Sequence, residues 1–196
     1  MKKRLVIFAS GNGTNTQNII QYFHQSEVAE IFKVLTNNKN AKVLERAKAL
    51  NVDASYFSKE ELIDTHGVIK QLAAWEPDLI ILAGFLLKFP ALILNEFSNK
   101  VINIHPALLP KYGGKGMYGR HVHEAVVRNR ETETGITIHY VNEEYDEGAI
   151  IFQKEVALSK DDSPEMVARK VHQLEKEHFP RVIEELLGSE EKTKII

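Results

Sequence analysis

Two short runs, LVIFA at residues 5–9 and LIILA at 79–83, are apolar at every position. Successive side chains of a strand point to opposite faces, so such runs are buried on both sides. A sheet built on them needs helices above and below it. Further strand-like runs lie at 32–36, 54–57, 101–104, 134–140 and 150–156. Helical periodicity falls between them at 15–25, 41–50, 59–75, 90–96, 120–130 and 164–187. This alternation predicts an α/β fold: a doubly wound, mostly parallel twisted sheet of about seven strands with helices on both faces. The last two strands flank the polar VNEEYDEGA and read as an antiparallel pair at one side. A length of 196 residues suits one such domain with a full core. The expected organisation is a single domain over 1–187 and a frayed tail over 188–196.

Charge and composition narrow the function. Net charge is −2, which gives no electrostatic footprint for nucleic acid or a membrane surface. The basic start is followed by an apolar stretch too short for a signal peptide. There is no cysteine, so disulfides and thiolate metal sites are excluded. The expectation is a cytoplasmic protein.

In doubly wound sheets, ligands sit beyond the carboxyl ends of the strands. Three polar segments fall there: SGNGTN, NIHPALLPKY and NEEYDEG. The first lies between a strand and a helix. It has two glycines of a dinucleotide fingerprint but Thr16 at the third position. No acid at the end of the second strand is available for a ribose diol, and no Gly-Lys-Ser/Thr ending marks a P-loop. What remains is a cradle for one phosphate at a helix N-terminus, with Ser10, Thr14 and Asn15 as donors, or a tight turn without a ligand. A bulky residue at Gly13 is expected to block the close backbone approach.

The second segment follows a buried strand. Asn103 and His105 are two apart, so they project to one side of it, and Pro106 keeps His105 extended. An amide and an imidazole so placed suit a carbonyl reaction, one donating to an oxyanion and the other handling a proton. They could equally cap loose backbone groups. A carboxylate partner would come from Glu143, Glu144, Asp146 or Glu147, and it would raise the histidine's pKa. His121 and His123 share no helix face and read as a solvated helix start. His139 ends a strand and reads as a core group or a support behind the site. The apolar FLLKF after Gly84 would suit a flat ligand or simply cover the core.

NIHPALLPKY together with the downstream aspartate–glycine loop resembles the folate-dependent formyltransferase superfamily. GNGTN after the first strand is similar to the phosphate loop of the phosphoribosylglycinamide formyltransferases, and the resemblance runs through LAGF to the last helix. The resemblance implies catalytic roles for Asn103, His105 and Asp146, with Glu147 replacing a usual glycine. It implies ribonucleotide binding by Gly11, Asn12, Gly13, Thr14 and Asn15, with His172 and Glu175 on the last helix. It implies folate contacts from Leu86, Leu87, Lys88, Phe89 and Asn103, and Lys59 as a candidate for the folate tail. The phosphate half lies N-terminal and the folate and catalytic half C-terminal. The implied reaction moves the formyl group of 10-formyltetrahydrofolate, a consumed co-substrate, to the amine of glycinamide ribonucleotide in purine biosynthesis, with a protonated His105 kept charged by Asp146. Neither a permanent cofactor nor a metal is implied, and the partners are small molecules, with a monomer or homodimer. The length leaves no room for the added domains of related formyltransferases and deformylases. Another amine substrate, or a non-catalytic phosphometabolite-binding domain, is the alternative.

Overall fold

The computed structural model describes residues 1–193. Seven strands, β1 (Lys3–Phe8), β2 (Ala29–Thr36), β3 (Ala54–Tyr56), β4 (Leu79–Leu82), β5 (Val101–His105), β6 (Glu133–Tyr140) and β7 (Ile150–Ala157), form one sheet in the order β3-β2-β1-β4-β5-β6-β7. The first five are mutually parallel, while β6 pairs antiparallel with β5 and β7 antiparallel with β6. The helices are α1 (Thr14–Phe23), α2 (Lys42–Ala49), α3 (Lys59–Ile63), α4 (Val68–Trp75), α5 (Ala91–Glu96), α6 (Arg120–Arg128) and α7 (Pro164–Thr193). No helix among the described residues is long and apolar enough to cross a membrane.

The two all-apolar runs behave as their pattern requires. In β1, Leu5 and Ile7 pack toward α1, α2, α6 and α7, while Val6 and Phe8 pack toward α3, α4 and α5. In β4, Leu79 and Ile81 join the first layer, and Ile80 and Leu82 join the second. Burying a side chain of this size contributes roughly 1.5–3 kcal/mol. These two strands therefore anchor the centre of the sheet. They also mark its switch point, because the chain proceeds outward from β1 to β3 and then returns to place β4 on β1's other side.

Two expected boundaries are corrected. The single helix at 59–75 is broken in two. Ser58 and Glu61 form a capping box on α3. Asp64 then accepts the His66 N–H at 3.0 Å, a turn that competes with the helix. Gly67 is needed at the corner, since a Cβ there would lie 2.0 Å from the Glu61 carbonyl oxygen. At the other end, the helix expected to stop at 187 runs on through Thr193. Pro180 sits inside it without ending it. The rest of the expected tail, 194–196, lies outside the described residues.

Candidate active site

The carboxyl ends of β1, β4 and β5 open onto a cavity of about 610 Å³. Its walls come from the glycine loop, the turn at Gly84, the end of β5, the loop 114–119 and helices α6 and α7. A second, smaller cavity of about 70 Å³ adjoins it, and Asn103 and Asp146 line both.

Gly13 caps α1 in the left-handed region, at φ 71°. Gln17 N–H donating to the Gly13 carbonyl is the first bond of the helix, so the N–H groups of Thr14, Asn15 and Thr16 have no intrahelical acceptor. Gly11 to Asn15 all line the large cavity. Ser10 does not serve the cradle. It is buried, donates to Asn37 Oδ1 at 2.6 Å and accepts from Leu86 N–H at 2.9 Å, tying the loop after β1 to the loop after β4. Gly13 is also a packing position: a Cβ on it would stand 2.5 Å from Val43 Cγ2 and 2.8 Å from Val43 Cα. Gly11 has open space instead. Gly13→Val is therefore expected to cost about 3 kcal/mol through positive-φ strain and overpacking, lowering Tm by roughly 10 °C. Gly11→Ala is expected to leave Tm within about 2 °C, since it meets no neighbour and surface changes of that kind stay within about 0.5 kcal/mol. Thermal unfolding of both variants checks this.

His105 is buried, and both ring nitrogens have fixed surroundings. Nε2–H donates to the Tyr112 carbonyl at 2.7 Å. Nδ1 lies 3.5 Å from Asp146 Oδ2. A carbonyl can only accept, so in the neutral ring the proton is on Nε2 and Nδ1 faces the carboxylate. The expected rise in this histidine's pKa does not hold. Burial pushes it down and outweighs the upward pull of Asp146 and the Tyr112 carbonyl. Among the four acids left open above, Asp146 is the one beside His105; Glu143 and Glu144 line the small cavity. Asp146 adopts φ 59° and accepts the Gly114 N–H at 2.9 Å. Burial pushes its carboxyl up, but the His139 and His105 rings when protonated, and the Gly114 N–H, hold it below its ordinary value.

Asn103 faces His139 across the β5–β6 ladder. His139 Nδ1–H donates to the Tyr140 carbonyl at 2.8 Å, which leaves Nε2 of the neutral ring as an acceptor. Asn103 Nδ2 fills it at 3.0 Å. One amide N–H is thereby held and the other is free for a ligand.

The remaining positions divide. His172 and Glu175, one turn apart on α7, line the large cavity beside Thr14 and Asn15. Burial pushes the Glu175 carboxyl up to about 7, against a smaller lowering by the Asn15 side chain. Leu86 is exposed in the large cavity, and Leu87, Lys88 and Phe89 line the small one. Phe89 is at the same time core, its ring packed edge-on against Phe8 at 5.1 Å. Lys59 opens α3 and lines neither cavity. Helix α7 closes the wall beside the glycine loop, so residues from both ends of the sequence share the large cavity. His123 is the residue that the sequence reading misplaced. It is buried in the large cavity's wall, not solvated. The signal was present: with Val122, Ala125 and Val126 it lies in the inward stripe of α6, while Arg120, His121 and Arg128 are exposed. Among the described residues, no group of three or more His, Asp or Glu is placed to hold a metal ion.

A model of the formyl transferase domain matches residues 3–183. The chain belongs to the formyl transferase family. Among family members, it is 34% identical over 191 residues to the phosphoribosylglycinamide formyltransferase of Bacillus subtilis, covering 95% of each. It is 36% identical over 183 residues to the chloroplastic phosphoribosylglycinamide formyltransferase of Arabidopsis thaliana, covering 90% of this chain and 62% of that protein's length. The crystal structure of glycinamide ribonucleotide transformylase 1 from Geobacillus kaustophilus superposes with a TM-score of 0.85 at 33% identity, covering 95% of this chain and 100% of that one. The phosphoribosylglycinamide formyltransferase from Anaplasma phagocytophilum gives 0.86 at 28% identity, over 96% and 89%.

Proposed function

We propose that the protein transfers the formyl group of 10-formyltetrahydrofolate to the amine of glycinamide ribonucleotide, giving formylglycinamide ribonucleotide and tetrahydrofolate in purine biosynthesis. One observation carries this reading: Asn103, His105 and Asp146 meet where the two cavities adjoin, and the larger cavity ends on the free N–H groups of α1. The α1 end suits a phosphate, with Glu175 and His172 facing the ribose. The apolar Phe85, Leu87 and Val141 line the small cavity, which suits the folate ring, and Leu86 continues that surface into the large one.

The chemistry requires one proton to leave the attacking amine and one to reach the folate nitrogen that departs. His105 is suited to both transfers. Its burial keeps it neutral near pH 7, so Nδ1 can accept a proton as the amine attacks the formyl carbon. Asp146 beside Nδ1 then stabilises the imidazolium, which returns the proton to the leaving nitrogen. This places the charged histidine in the transition state and not in the resting enzyme. The free Asn103 N–H donates to the formyl oxygen as it becomes an oxyanion. The co-substrate is consumed.

Incubation with both substrates, following folate absorbance, tests the reading. Turnover only with a different amine would indicate another formyltransferase, and ribonucleotide binding without turnover a binding domain. Two variants refine it. Asn103→Ala is expected to reduce kcat/KM by about 10²-fold, roughly 3 kcal/mol for one oxyanion donor; an aspartate there that left activity intact would refute the donor role. Gly11→Val is expected to raise KM for the ribonucleotide about 10-fold by obstructing phosphate approach, with folate KM within about 2-fold. Equal losses for both substrates would point away from the glycine loop as a phosphate site.

A further inference from the structure

His123 is a buried group that the mechanism above leaves unused. It stands on α6, close enough to His105 to feel its charge and with the His172 ring perpendicular to it at 6.4 Å. Only 4% of it is exposed. Its Nδ1 is buried with no hydrogen-bond partner. An N–H stranded there would be costlier than a bare lone pair, so the proton belongs on Nε2. Nε2 has no protein partner either, and unlike Nδ1 it is not sealed from solvent. The ring is therefore a fixed N–H donor presented to the cavity. Burial, reinforced by His172 and His105, holds its pKa down to about 4, which keeps it neutral at working pH.

A core position has no use for such a group. Val122, Ala125 and Val126 around it are apolar, and an apolar ring of similar size would fill the space without leaving a nitrogen unpaired. Retaining a histidine here makes sense if a ligand supplies the missing acceptor. In the cavity wall, His123 neighbours both His105 and His172, so it adjoins the catalytic groups as well as the wall proposed to face the ribose. In glycinamide ribonucleotide, the group between the amine and the ribose is an amide carbonyl, an acceptor.

We propose that His123 Nε2–H donates to the amide carbonyl of the ribonucleotide and so helps select a glycinamide arm. This rests on the function proposed above. The donor's position can be tested by side-chain replacement, because a glutamine amide nitrogen falls near Nε2 of histidine and an asparagine amide nitrogen near Nδ1.

Ribonucleotide affinity by titration calorimetry, steady-state kinetics and thermal unfolding should be measured for the wild type and for His123→Phe, His123→Gln and His123→Asn. The expected result for His123→Phe is a Tm equal to or above wild type, with Kd and KM for the ribonucleotide raised about 10-fold and folate KM unchanged. His123→Gln should recover most of the affinity and His123→Asn should not. Wild-type affinity in a folded His123→Phe or His123→Leu variant would overturn the proposal while leaving the function intact. A wild type that neither binds nor formylates the ribonucleotide would overturn both.

Discussion

Asp146→Asn is expected to lower kcat/KM by about 10³-fold, within the range for a positioned acid–base group. Asparagine nearly keeps the shape, and its amide oxygen can still accept the Gly114 N–H, so the loop should hold. What goes is the negative charge 3.5 Å from His105 Nδ1. That charge is the largest influence raising the histidine's pKa against burial. Without it the imidazolium formed in the transition state has no counter-charge. The sign follows: His105 already titrates below its ordinary value, and in Asp146→Asn it should titrate lower still. Since the neutral ring is the active resting form, the acid limb of kcat/KM should lie below pH 6.5 in the wild type and move further down in the variant, although the rate falls. Glu143→Gln and Glu144→Gln should do neither. NMR titration of His105 decides it; an unchanged histidine pKa sinks the pairing.

His105→Ala is expected to reduce kcat by at least about 10²-fold with smaller changes in substrate binding. Alanine would also leave the Tyr112 carbonyl without its donor, and so could disturb the loop 112–119. His105→Gln separates the two effects. Its amide nitrogen can still donate to Tyr112 O, but it cannot take up and return a proton. Equal losses of kcat in both variants would assign the loss to proton transfer. A glutamine variant with near wild-type kcat would remove proton transfer from the role of His105.

The fold was largely legible because its strongest signals are local. LVIFA and LIILA are apolar at every position, and that pattern alone requires a covered sheet. The Asn103–His105 pair was legible for a similar reason, since residues two apart in a strand share a side. Groups whose state depends on distant neighbours were not. The pKa of His105 was misjudged in sign because a charge beside it can be guessed from sequence, but the depth of its burial cannot. His123 was misread by spacing against His121, although its own stripe with Val122 and Val126 pointed inward. The tautomer of His139 is set by the Tyr140 carbonyl, which no residue identity reveals. Ser10 looked like a phosphate donor until its hydroxyl was found bound to Asn37 and Leu86.

The wall beside the glycine loop belongs to α7, and this orders events during synthesis. A ribosome makes Gly11 to Asn15 well before Glu175. A nascent chain can lay down β1 to β5 and still offer the nucleotide only half a cleft. With the ribonucleotide bound as proposed above, its capture would wait for α7 to dock, so binding would report that helix in place. A nucleotide present at 100 times Kd would add about 2.7 kcal/mol to the finished protein and nothing to the partial one.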